Sequence, residues 1–114
     1  MENKERLPKA RLEDLDFIIQ KIVENMPVKY IYLFGSHAYG QPNADSDIDL
    51  YVVLHECEGN MREFRMKIKM VLAKSELWDI DILINTESDF KQRVIDYTLE
   101  EIVATKGKLL YESK

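Results

Sequence analysis

Between Leu33 and Leu50 the chain reads Leu-Phe-Gly-Ser-His-Ala-Tyr-Gly-Gln-Pro-Asn-Ala-Asp-Ser-Asp-Ile-Asp-Leu, and this stretch limits what the chain can fold into. An apolar run ends on Gly35-Ser36, ten residues from His37 to Ser46 follow, and a second apolar run opens with Asp47-Ile48-Asp49. Side chains alternate faces along a strand, so Asp47 and Asp49 point the same way, about 6.5 Å apart. Two carboxylates so placed can share one hard cation, and a Mg²⁺ ion commonly uses one or two carboxylates with phosphate oxygens completing its shell. A glycine-serine turn facing them lets a backbone approach phosphates without a Cβ and adds a hydroxyl and an N–H.

The neighbouring segments supply a frame for that stretch. Leu12, Leu15, Ile18, Ile19, Ile22, Val23 and Met26 recur at helical spacing, predicting an amphipathic helix over about 9–26 that Pro27 ends. Val28 to Phe34 is rich in β-branched and aromatic residues and apolar on both faces, as a central strand requires. Gly40, Pro42, Asn43 and Asp45 mark a short helical turn and loop, and the second strand runs from Asp47 to about Leu54. Met61, Phe64, Ile68, Val71 and Leu72 predict a second helix with a basic outer face of Arg65, Lys67 and Lys69. A third strand is expected over about 77–84, with Trp78, Ile80, Ile82 and Ile84 on one face and Leu77, Asp79, Asp81 and Leu83 on the other. Thr86-Glu87-Ser88-Asp89 has capping spacing for a further helix, with a break near Tyr97-Thr98 and an end at Gly107. Lys108 to Tyr111 can dock as a short extended segment.

The chain has 114 residues, 46% hydrophobic and 32% charged, which suits one compact domain over 1–114. A net charge of −5 without a long basic run argues against direct nucleic-acid binding through many phosphate contacts. The single cysteine, Cys57, has no internal disulfide partner and the expected compartment is the cytoplasm. No leader or membrane-spanning run is visible, so no membrane association is expected.

Other nucleotide motifs fail. Gly35 and Gly40 have the glycine spacing of a P-loop, but Gln41-Pro42 stands where lysine and a hydroxyl residue belong, and no GxGxxG occurs. Metal binding therefore falls to carboxylates. A lone strand-ending Gly-Ser is usually only a turn, and a lone Asp-x-Asp usually a solvated edge. Here three acids interrupt runs whose neighbours look buried, where an unpaired carboxylate is costly. Asp47 and Asp49 are the candidates for an ion escorting phosphates, and Asp81 joins them at a second ion, where an acceptor hydroxyl would be activated. Asp79 competes for that third place; Asp81 is preferred because it lies within the core run Ile80 to Ile84. Tyr30, Tyr32 and Phe34 read as core, His37 as an exposed loop residue, and His55, Glu56 and Cys57 as loop.

On these residues the chain resembles the minimal nucleotidyltransferases of the DNA polymerase beta-like superfamily. Gly35-Ser36, ten residues, and Asp47-Ile48-Asp49 match their signature, and Trp78 to Ile84 resembles the later strand that carries the third carboxylate, here Asp81. The resemblance implies an α+β fold, a mixed and mainly antiparallel sheet flanked by helices, with Gly35 and Ser36 at the nucleotide and ATP and Mg²⁺ as cosubstrate and cofactor. Many relatives carry arginines after Gly-Ser where this chain has His37-Ala38-Tyr39. Larger relatives carry acceptor-binding segments that this chain lacks, so its acceptor is expected on another chain. Minimal members resemble antitoxins paired with an all-helical HEPN toxin, which implies AMP transfer from ATP to a toxin tyrosine within a hetero-oligomer. A non-catalytic antitoxin that covers its partner and a transferase acting on a small-molecule hydroxyl are the competing readings.

Overall fold

The computed structural model describes residues 9–35, 48–57, 59–77, 79–96 and 98–113. In chain order they form α1 (Lys9–Asn25), β1 (Val28–Phe34), β2 (Ile48–Leu54), α2 (Met61–Lys74), β3 (Ile80–Thr86), α3 (Glu87–Asp96), α4 (Thr98–Lys106) and β4 (Lys108–Glu112). The four strands make one sheet in the order β3-β2-β1-β4. β1 pairs antiparallel with β2 and with β4, whereas β2 and β3 run parallel. The expected mixed, mainly antiparallel sheet with flanking helices is the observed one, and the docked tail is a full edge strand.

Strand alternation sorts the core into two layers. Ile31, Leu33, Leu50, Val52 and Ile84 face α1 and α2, where Leu15, Ile18, Ile22 and Ile68 close over them. On the opposite face Phe34, Tyr51 and Val53 meet Phe90 of α3 and Val103 of α4. There the rings of Tyr51 and Phe90 lie 5.1 Å apart at 57°, and Tyr32 stacks on Phe90 at 5.9 Å. Each such ring contributes about 1.5–3 kcal/mol by leaving water, which offsets the entropy of fixing α3 and α4.

The helix ends follow local chemistry. Asn60 caps α2 by accepting from the Arg62 N–H at 2.8 Å. Its other end closes through Ser75 N–H to the Val71 carbonyl and Leu77 N–H to the Leu72 carbonyl, with Glu76 in the left-handed region at φ 57°. This closure corrects one sequence expectation: Leu77 precedes β3 and is buried with Ile80, on the helix-covered side rather than beside the acids. β3 begins at Ile80 and runs to Thr86, later along the chain than the expected 77–84. Gly107 ends α4 as expected; its N–H donates to the Val103 carbonyl at 3.0 Å, and a Cβ there would sit 3.2 Å from the Leu33 carbonyl oxygen.

The start of α3 is tied to both ends of the first hairpin. Thr86 Oγ1 accepts from the Asp89 N–H at 3.4 Å, and the Glu56 carboxyl accepts from the Ser88 N–H at 2.7 Å. Lys29 meets Glu87 at 2.6 Å, and Lys91 approaches the same oxygen at 3.5 Å. Hydrogen bonds from Ser88 hold the Glu56 carboxyl below its ordinary range, and those from Lys29 do the same for Glu87. Both groups therefore take up protons more readily when unfolded. Their contribution is complete above the unfolded carboxylate pKa and is lost as pH falls through the lower folded value. The melting temperature is expected to drop between about pH 5 and pH 3, and Glu56→Gln with Glu87→Gln to flatten that slope; an unchanged slope in thermal melts of the double variant would contradict the assignment.

Candidate active site

Every residue of central strand β2 is buried except Asp49, which is half-buried. The antiparallel register sets Asp49 opposite Phe34 on β1, and the parallel register sets it opposite Asp81 on β3. Paired residues on adjacent strands project to the same face, so Asp49 and Asp81 stand side by side about 4.8 Å apart in the strand-to-strand direction. That face is the one carrying Phe34 and Tyr51, away from α1 and α2. On this face the Phe34 ring lies 6.3 Å from that of Tyr51 in an edge-on arrangement.

Gly35 follows Phe34 and turns the chain out of the sheet at φ +77°, a conformation that suits glycine. A Cβ at this position would lie 3.2 Å from Asp49 Cγ and closer still to its Oδ2. The turn and the carboxylate thus fit against each other only because residue 35 has no side chain. Ser36 and Asp47 lie outside the described residues, as does the whole of the expected turn from His37 to Ser46.

The two competing acids separate by position. Asp79 sits before β3, where its carbonyl accepts from the Ile48 N–H at 2.9 Å and so fixes the first rung of the β2–β3 ladder. Asp81 is two residues further, in register with Asp49. Both are exposed, which corrects the expectation that these acids interrupt a buried face. The physical reason is topology: among the described residues β3 is the edge strand of the sheet. Exposure lowers the desolvation cost of charging Asp81 beside the half-buried Asp49. Among the described residues no three His, Cys, Asp or Glu side chains converge; the described part of the site is this pair.

A polar network that the sequence did not announce stands one strand step away. Tyr51, two residues after Asp49, donates its hydroxyl hydrogen to Glu100 of α4 at 2.9 Å and accepts from the Asn85 amide at 2.7 Å. Glu100 is only 5% exposed and Tyr51 fully buried, and burial pushes the phenol pKa up, keeping it a donor. The three groups lock α4 to β2 and β3, the strands that carry the acid pair. Glu56, read as loop, is the α3 cap described above; Tyr30, Tyr32 and Phe34 are core as expected.

Comparison with known proteins gives the family. Residues 17–114 match the family described as Polymerase beta, Nucleotidyltransferase, and the chain belongs to that family. It is 30% identical over 95 residues to the protein adenylyltransferase MntA of Shewanella oneidensis, a match covering 82% of this chain and 62% of that protein. The chain therefore spans less than two thirds of the length of this relative. Its fold is similar to that of a Sulfolobus solfataricus protein provisionally called a nucleotidyltransferase, at TM-score 0.65 and 21% identity over 97% of this chain and 85% of that one. A toxin–antitoxin structure with AMP-PNP aligns at TM-score 0.55 and 26% identity, covering 87% of this chain and 73% of the other. No helix among the described residues is long and apolar enough to cross a membrane.

Gly35→Ala tests the fit of the turn. Forcing a side chain into this conformation costs about 1–2 kcal/mol and also displaces the Asp49 carboxylate. Thermal melts should show that loss, and Mn²⁺ titration should show weakened binding; a variant matching the unmutated chain in both would contradict the close fit.

Proposed function

We propose that this chain is a Mg²⁺-dependent nucleotidyltransferase that moves AMP from ATP to a tyrosine hydroxyl of a separate, helical HEPN-type toxin, and so acts as its antitoxin in the cytoplasm. The observation that carries the reading is the register that sets Asp49 beside Asp81 with Gly35 closed against Asp49. Family membership, the similarity to a protein adenylyltransferase and the likeness to a toxin–antitoxin structure with an ATP analogue support it.

The residues present fit a divalent ion: two adjacent carboxylates, one half-buried and one exposed, of the hard-oxygen type that Mg²⁺ takes. Asp49 and Asp81 would hold it, with Asp47 as the third ligand proposed from the sequence motif. Such an ion neutralises charge on the phosphoryl oxygens. Gly35 brings main chain close to the phosphates, and Ser36 is proposed to donate to them. The acceptor oxygen attacks the α-phosphorus while the bond from that phosphorus to the bridging oxygen breaks. Pyrophosphate leaves, and the hydroxyl proton passes to a carboxylate or to water. Asp81, on the outer strand, faces the acceptor; Asp49, against Gly35, faces the nucleotide. Positioning and electrostatics supply most of the acceleration.

The test is the intact mass of the neighbouring gene's product, co-expressed with this chain or with its Asp47→Asn, Asp49→Asn variant. A partner heavier by one or more AMP units only with the unmutated chain is expected. An unmodified partner that co-purifies equally with both chains would overturn transfer in favour of inhibition by binding.

A further inference from the structure

We propose that the outer faces of α1 and α2 form a self-complementary surface on which a second copy of this chain docks, α1 of each copy lying on α2 of the other. This pairing is independent of the transfer reading above. Both helices cover the same face of the sheet, and across the groove between them Ile18, Ile22 and Asn25 of α1 face Lys67, Ile68 and Val71 of α2. They therefore lie side by side, and the faces they turn away from the sheet make one layer. Three large apolar side chains stand on it: Phe17 of α1, 41% exposed, and Met66 and Met70 of α2, 55% and 54% exposed. Met66 and Met70 are one helical turn apart and share one stripe, opposite the buried Ile68.

The two helices carry opposite charge on that layer. The fourteen residues of α2 include five lysines and arginines and one glutamate, in a chain whose net charge is −5. Arg62, Lys69 and Lys74 are exposed, and among the described residues no carboxylate pairs with them. On α1, Glu13 and Asp16 are exposed beside Phe17 and form no ion pair among the described residues, whereas Glu24 is held within its own helix by Lys21 at 3.8 Å and Gln20 at 3.1 Å.

Charge selects the symmetry axis. A two-fold axis running across the helices would place α1 on α1 and α2 on α2, setting Glu13 and Asp16 against their own copies and the cations of α2 against theirs. An axis running along the helices places α1 on α2 of the second copy, so that acid meets base in both halves of an isologous contact. It also lays Phe17 of each copy against the methionine stripe of the other, a pairing of ring and thioether that is itself attractive. At the usual helical rise α1 and α2 are about 25 Å and 21 Å long and together about 20 Å wide, which places the contact at the small end of specific interfaces. Asp49 and Asp81 project from the opposite face of the sheet, so the dimer carries its two candidate sites on its outer sides.

Sedimentation velocity of the full chain over a dilution series tests the pairing. The mass should shift reversibly from 13.4 kDa to twice that value, with a dissociation constant on the order of 10 μM that rises with added salt. Glu13→Lys with Asp16→Lys makes both helix faces basic, and Arg62→Glu with Lys69→Glu and Lys74→Glu makes both acidic. Each variant alone should associate at least about tenfold more weakly. An equimolar mixture of the two should recover a heterodimer, since acid then meets base in both contacts; that recovery also shows that the variants are folded. A chain monomeric throughout the series, a dimer that either variant leaves unchanged, or a mixture that does not recover association would overturn the proposal. If the chain is monomeric and the amides of α1 and α2 are protected from exchange only by the co-expressed neighbouring product, the face belongs to that protein and the proposal is likewise overturned. Dimerisation that follows the charges while the co-expressed partner stays unmodified would leave the pairing standing and remove the transfer reading; a modified partner with a monomeric chain would do the reverse.

Discussion

Parallel pairing of β3 with β2 is the constraint on which the candidate site depends. A parallel pair needs a long crossover, and here it is the α2 helix over one face of the sheet that returns the chain to the same end. Because β1 ends where β2 and β3 begin, one rim of the sheet collects the Gly35 turn, Asp49 and Asp81. A slip of one residue in β3 would carry Asp81 to the α2 side and an isoleucine to the solvent face. The hydrophobic pattern opposes that slip: Ile80 and Ile84 are buried beneath α2, and Asp79 pins the first rung through its carbonyl.

The opposite face holds the register from the other direction. Phe90 and Val103 bring α3 and α4 onto Tyr51 and Val53, and the Tyr51 hydroxyl joins Asn85 on β3 to Glu100 on α4. A buried carboxyl is tolerable only with such partners. The polar cluster is therefore more than a contact between layers: it connects the two acid-bearing strands to a helix one strand step from the acids. Asp49 and Asp81 thus stand on paired strands, and no strand among the described residues lies outside β3.

Much of this was legible in the sequence because period-two and period-3.6 patterns survive wherever one face is buried and the other is not. The strand order and the parallel crossover were not fixed by those patterns, since an apolar run such as Val28 to Phe34 fits several places in a sheet. The stop of α2 was hidden because Glu76, not glycine, takes the left-handed position, so Leu77 read as strand. The exposure of Asp81 is not legible in the sequence, because burial depends on which strand is at the edge, a tertiary fact. Glu100 and Glu56 were invisible for a related reason: their partners, Tyr51 and Ser88, are 49 and 32 residues distant. Ser36 and Asp47, central to the motif, lie outside the described residues, and their roles rest on the sequence pattern.

The central claim is that register makes Asp49 and Asp81 one cation site. Electron paramagnetic resonance titration of Mn²⁺ with AMP-PNP present, on the unmutated chain, Asp49→Asn and Asp81→Asn, tests it most directly. Each substitution should weaken Mn²⁺ binding by at least about tenfold while circular dichroism shows an unchanged fold. Undiminished Mn²⁺ affinity in either variant would contradict the account.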